Sequence, residues 1–172
     1  NNFNPDSLVY NGTSRPSVFG AFRNDFNYKG FSLSINVTYK LNYFIRKPSL
    51  TLNYQDVLSL YQNIDYNNRW QIAGDELKTN VPSMVYPSDN NRNTFYQYSE
   101  ALVLKGDHIR LQDIRLGYDL PKKFLGINNS VARIQIYAYA RNLGILWRAN
   151  KDGIDPDGYG FRSSHDVPTP RT

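Results

Sequence analysis

Cysteine is absent from the 172 residues, methionine occurs once, histidine occurs twice, and no long apolar run is present. Without cysteine there are no disulfides and no thiolate metal sites. No segment approaches the ~18 consecutive apolar residues of a membrane helix, which excludes a helical membrane protein but not a barrel that crosses with strands. The two histidines, His108 and His165, stand in no catalytic motif, and a structural or solvated role accounts for both. No glycine-rich phosphate loop occurs either. Basic residues give a formal charge of +5 and a pI near 9.3. They are scattered singly (Arg23, Lys40, Arg133), without the dense basic stripe interleaved with aromatics that a nucleic-acid surface wants. The first residues, Asn-Asn-Phe-Asn-Pro, have neither the basic nor the apolar region of an export signal. The expectation is a signal lying further upstream or a chain that was never exported.

What is present is aromatic and alternating. There are 14 tyrosines and 9 phenylalanines, yet the mean hydropathy is −0.59, as a period-two pattern of apolar and polar residues would average. From Phe31 to Ile45 every odd position is apolar or aromatic and the even positions through Asn42 are polar, the alternation breaking only at Phe44. In a strand that places oil on one face and water on the other. At about 3.3 Å per residue the run would be on the order of 50 Å long, and tilted by ~45° it would rise roughly 35 Å, more than the ~25 Å apolar band of an outer-membrane barrel. Ser17 to Tyr28 alternates too, with Val18, Phe22, Phe26 and Tyr28 opposite Arg23, Asp25 and Asn27. Tyr28-Lys29-Gly30 then predicts a tight hairpin into Phe31. Lys40 and Arg23 should share the aqueous face, because a one-residue slip would turn each into lipid at roughly 2–4 kcal/mol near the midplane.

Residues 46–95 lose this regularity and predict a long loop, with a short helix expected over Tyr54 to Tyr61. Strand character returns over about 100–120, where Ile109 and Leu111 share one phase and Ile114, Leu116, Tyr118 and Leu120 the other. That slip predicts a β-bulge at Gln112-Asp113 or a break between strands there. A turn region follows from Pro121 to Ser130. A last strand is predicted over about 131–143, with Ile134, Ile136, Ala138 and Ala140 opposite Arg133, Gln135, Tyr137, Tyr139 and Arg141, and a loop or tail over 144–172. Asp152, Asp155, Asp157 and Gly158 have some spacing of a calcium loop, but aligning Gly158 to its glycine puts Gly153 and Ser164 where Asp and Glu belong, so an Asx-rich turn is the better account. Four or five strands cannot close a membrane barrel, since the smallest use eight. Open edges in lipid are prohibitive. The expectation is an all-β, antiparallel segment of something larger.

Lys105-Gly106-Asp107-His108-Ile109-Arg110-Leu111-Gln112-Asp113-Ile114-Arg115-Leu116-Gly117-Tyr118-Asp119-Leu120-Pro121 closely resembles a signature of SusC/RagA-type TonB-dependent outer-membrane transporters. Arg110-Leu111, Leu116-Gly117-Tyr118 and Leu120-Pro121 match it, while Gln112 and Asp113 replace its usual Lys-Asn. Asn24-Asp25-Phe26, Tyr28-Lys29-Gly30-Phe31, Arg69-Trp70, Gly74-Asp75, Val81-Pro82, Arg141-Asn142-Leu143, Asp155-Pro156 and Pro168-Thr169-Pro170-Arg171-Thr172 resemble other family motifs in the same order, with Ala73 where proline is common and Asp157 where glutamate is.

The resemblance implies that residues 1–172 are a C-terminal part of a roughly 22-stranded transmembrane β-barrel with long extracellular loops, the plug domain and final strand being absent. It implies a non-enzymatic importer of oligosaccharides or peptides in the bacterial outer membrane, with no cofactor and no metal. The implied partners are the rest of the barrel and plug, a SusD-like surface lipoprotein, TonB through the missing N-terminal part, and outer-membrane lipid, with no nucleic acid. Substrate-binding residues are not fixed by it. The loop aromatics Tyr54, Tyr61, Tyr66 and Trp70 are candidates for stacking on a sugar or peptide, with loop packing or contact with a partner the preferred account. The alternative function is a stand-alone exported β-rich glycan-binding or adhesion module.

Overall fold

The computed structural model describes residues 8–50, 54, 64–121, 123 and 133–158. The expected helix from Tyr54 to Tyr61, apart from Tyr54 itself, lies outside the described residues, as do His165 and the Pro168–Thr172 motif.

Six strands are described: β1 Val18–Tyr28, β2 Phe31–Leu41, β3 Phe44–Arg46, β4 Val103–Lys105, β5 His108–Asp119 and β6 Gln135–Arg148. Four of them form an antiparallel sheet in the order β1-β2-β5-β6, and β3 pairs with β4. β1 and β2 are joined by Lys29 (φ 47°) and Gly30 (φ 85°). Positive φ at both central residues is the type I′ turn whose twist matches its flanking strands. The expected bulge is there: Asn36 stands opposite Asp113 and Val37 opposite Leu111, leaving Gln112 over. That extra residue reconciles the two phases of β5. Both halves then keep their apolar side chains on one face.

The pairing aligns like with like across the sheet. Phe26, Leu33, Leu116 and Ala138 form one apolar row, and Tyr28, Phe31, Tyr118 and Ile136 the next. On the opposite face run Arg23, Asn36, Asp113 and Arg141, then Asp25, Ser34, Arg115 and Tyr139. Among the described residues nothing covers the apolar face: Phe22, Phe26, Tyr28, Phe31, Leu116 and Ile136 are all exposed. A contiguous exposed face of this kind marks a surface meant for something other than water.

The alternating run from Phe31 to Ile45 is not one strand. Asn42 takes φ 61°, where a strand cannot continue, and β3 resumes beyond it. Lys40 stands opposite His108 and Phe44 opposite Lys105, so β2–β3 and β4–β5 are two arms of one bent ladder. Tyr43 fills the bend. Its ring lies where a Cβ on Gly106 would be, 2.5 Å from that position, so only glycine lets the arms meet there.

Apart from Tyr43 at the bend and Ile45 in β3, the buried apolar residues sit in the connection between the arms. Leu50, Tyr96 and Leu102 form a small cluster with Tyr66 and Met84 against it. α1 (Asn90–Tyr98) ends this connection, and Asp89 caps it by accepting from the amides of Asn91 and Arg92. β6 runs on to Arg148, further than the alternation of the sequence reaches, because Asn142 (φ 50°) and Gly144 (φ 151°) form an irregularity through which pairing with β5 resumes.

Candidate functional site

Lys40 is the penultimate residue of β2, and His108 and Arg110 lie at the start of β5, all on the polar face. The chain leaving β6 folds back over them. Its base is tied by Ala149 N–H donating to the Asp107 carbonyl and by Arg148 donating to the Gly153 carbonyl. Buried Asn150 both donates to the Ile154 carbonyl and accepts from its amide, which closes residues 150–154 into a self-supported turn. Asp155 accepts from the Asp157 amide at 3.0 Å, an Asx turn.

This turn delivers its carboxylates to the sheet. Asp157 accepts from Lys40 Nζ at 2.6 Å and faces His108 Nε2 at 3.2 Å. Asp155 accepts from Arg110 Nη2, whose Nη1 donates to Asn142. Arg110 Nε lies 3.3 Å from Asp157 but off the hydrogen-bond direction, so one donor of this buried guanidinium is unused. His108 is 1% exposed, and its Nδ1 is 2.9 Å from the Gly106 carbonyl. Nδ1 also lies 3.2 Å from the Tyr43 hydroxyl. Burial alone would raise the Asp157 pKa, but the hydrogen bonds and charges of His108 and Lys40 outweigh it and hold the carboxyl well below its usual value. The carboxylates that resemble part of a calcium loop are thus engaged by the protein's own cations.

A second tie reaches the long connection. Lys47 Nζ lies 3.2 Å from buried Asp65 and 3.6 Å from Asp152. Burial opposes its charge, and the two carboxylates, Asp65 foremost, raise its pKa above the ordinary value. Ser49 donates to Asp65, which leaves the Tyr96 hydroxyl to donate to Ser49. Lower on the polar face, Arg23, Asp25, Ser34, Asp113, Arg115 and Tyr137 line an open groove of about 470 Å³. The Arg115 and Arg141 guanidinium groups lie over the rings of Tyr137 and Tyr139 at 5.0 and 4.8 Å.

No ring contact joins Tyr54, Tyr66 and Trp70 to one another among the described residues. Tyr54 is exposed and meets Tyr86 edge-on at 6.1 Å between centroids. Tyr66 packs on the loop cluster beneath the Arg69 guanidinium at 3.9 Å. Trp70 donates its indole N–H to the Thr79 carbonyl at 2.6 Å. Tyr61 lies outside the described residues. The Lys40–His108–Arg110 group escaped sequence reasoning because its members are polar residues at ordinary strand positions, and only pairing brings β2 and β5 together.

No protein-family model matches the chain, and no curated protein sequence does. Solved structures do. The RagAB peptide importer in its open-open state is 21% identical, with a TM-score of 0.62 over 92% of this chain and 16% of the matched chain. The same importer in its closed-closed state gives 19%, 0.62, 92% and 16%. A structure of the RagAB peptide transporter gives 22%, 0.62, 92% and 17%. The fold is therefore that of a β-barrel segment of such transporters, an antiparallel sheet that is not closed. The chain spans 16–17% of the length of the chains it matches. The matched proteins are described as peptide importers or transporters.

Proposed function

We propose that this chain is a wall segment of a SusC/RagA-type, TonB-dependent importer in the bacterial outer membrane, taking up oligopeptides or oligosaccharides with a SusD-like lipoprotein at its surface. The observation that carries this reading is the two-faced sheet: an uncovered apolar face against lipid and a charged face toward a lumen. The open edges at β1 and β6 continue into the rest of the barrel, as the fold shared with the RagAB structures supports. The short Lys29-Gly30 turn then lies on the periplasmic side. The connection from β3 to β4 and the turn after β6 lie outside the cell. Energy coupling through TonB and the plug belongs to other parts of the protein.

Single cysteines in the full-length protein, held in native outer membranes, test the reading. Cysteines at Phe26 and Ile136 should resist a hydrophilic maleimide and be quenched by a lipid-soluble quencher. One at Arg115 should behave in the opposite way. Equal aqueous labelling of both faces would sink the membrane-wall reading and favour a stand-alone β-module. Uptake of fluorescent oligopeptides and oligosaccharides by cells with and without the protein then separates the substrates.

A further inference from the structure

We infer that Lys40, His108 and Arg110 form a carboxylate-binding cradle on the aqueous face, and that Asp155 and Asp157 occupy it as an internal ligand which a carboxylate-bearing solute displaces. The inference rests on the transporter reading for its setting but not for its geometry. Side chains from two strands converge on one place, and the carboxylates they hold belong to a single turn. Arg110 is buried, and its Nε meets Asp157 at 3.3 Å as an ion pair without a hydrogen bond. Lys40 remains partly exposed, 41% at its side chain, so a solute has an approach from the water side.

The turn is built to come away as a unit. Asn150 and the Arg148–Gly153 bond hold its shape from within, whereas its polar ties beyond the Ala149 base are ionic, through Asp155, Asp157 and, by way of Lys47, Asp152, with Pro156 buried between the two cradle carboxylates. An intramolecular carboxylate competes at an effective concentration in the millimolar range. A single acetate therefore loses the competition, and a ligand presenting several carboxylates is the class that wins it. An acidic peptide and an oligouronic acid share that chemistry.

The test uses the purified full-length protein in detergent, with a nitroxide at Lys151→Cys, an exposed position on the turn, and any other reactive cysteine removed. Triglutamate and trigalacturonate should each be tried against sodium chloride at matched ionic strength and against neutral triglutamine. A mobile nitroxide component should appear with a tricarboxylate but not with chloride or triglutamine, and which tricarboxylate acts identifies the source. Labelled triglutamate or trigalacturonate should bind Asp155→Asn/Asp157→Asn about tenfold more tightly, about 1.4 kcal/mol, and Lys40→Gln more weakly. Release by chloride alone would overturn the inference. So would a double variant whose turn is mobile while its tricarboxylate affinity is unchanged. Uptake in cells reads the import proposal separately, so either can fail without the other.

Discussion

The Arg23 guanidinium reaches across β2 to within 3.6 Å of the Asp113 carboxylate, and Asn36, between them, donates to the same carboxylate at 2.8 Å. One residue at the bulge of β5 thus organises three strands. The two ties are unequal. Arg23 is 57% exposed at its side chain, whereas Asp113 is buried.

Asp113→Ala should therefore lower stability by about 1–3 kcal/mol, since the Asn36 amide loses a charged acceptor in a buried place. Arg23→Met should cost less than about 1 kcal/mol, as exposed ion pairs do. Thermal loss of the heat-modifiable band of the full-length protein measures both. Equal effects would mean that the Arg23 contact dominates.

Leu116 and Arg115 are neighbours in sequence on opposite faces. Leu116→Arg should cost up to about 2–4 kcal/mol, depending on depth in the bilayer, and reduce the folded fraction in urea titrations in lipid vesicles. Ser34→Leu, on the polar face, should leave insertion unchanged. Similar losses from both would contradict the assignment of the faces.

Gly30 turns the β1–β2 hairpin at φ 85°, and a Cβ there would meet the Asp119 carbonyl at 3.1 Å. Gly30→Ala should cost about 1–2 kcal/mol. Lys29→Asn, at φ 47°, should be neutral or slightly stabilising, because asparagine tolerates the left-handed region better. Refolding yields of the two variants in detergent give the comparison.

The Asp157 carboxyl has a lowered pKa in the folded protein, so its ties stabilise fully above the unfolded value of about 3.9 and fade as pH falls through the lower, folded value. A nitroxide at Lys151→Cys should stay immobile at pH 5 and, on the acid side, become mobile only in stronger acid. In Asp157→Asn the acid transition should shrink. Lys47 works in the opposite sense. Its raised pKa gives stability that is complete below about 10.4 and lost as pH rises through the folded value. Loosening of the same label in strong alkali should disappear in Lys47→Met.

The sheet was legible in the sequence because burial on a single face writes itself as period two. Val18–Tyr28 and Phe31–Leu41 show it directly, and the phase slip at Gln112 marked its own bulge. The bend at Asn42 was hidden, since the alternation runs through it while the backbone does not. α1 was hidden too: its cap at Asp89 is clear, but Tyr96 and Asn93 are its only buried residues, too few to make a helical stripe. The carboxylate cradle is illegible for a further reason. Asp157 lies 117 residues from Lys40 and 49 from His108, and nothing local distinguishes these residues from solvated ones.

The bent ladder also sets an order of events. β1 and β2 are joined by two residues and can pair at once, but β2 must find β5 across the whole connection from Asn42 to Asp107. Closing a loop of that length costs entropy before any sheet contact repays it. The short β3–β4 pair and the cluster of Leu50, Tyr96 and Leu102 lie inside that loop. If they form first, the two arms arrive already aligned at Tyr43 and Gly106, and the remaining search is only a few residues long. The connection would then be a guide for pairing β2 with β5, made before the sheet it joins.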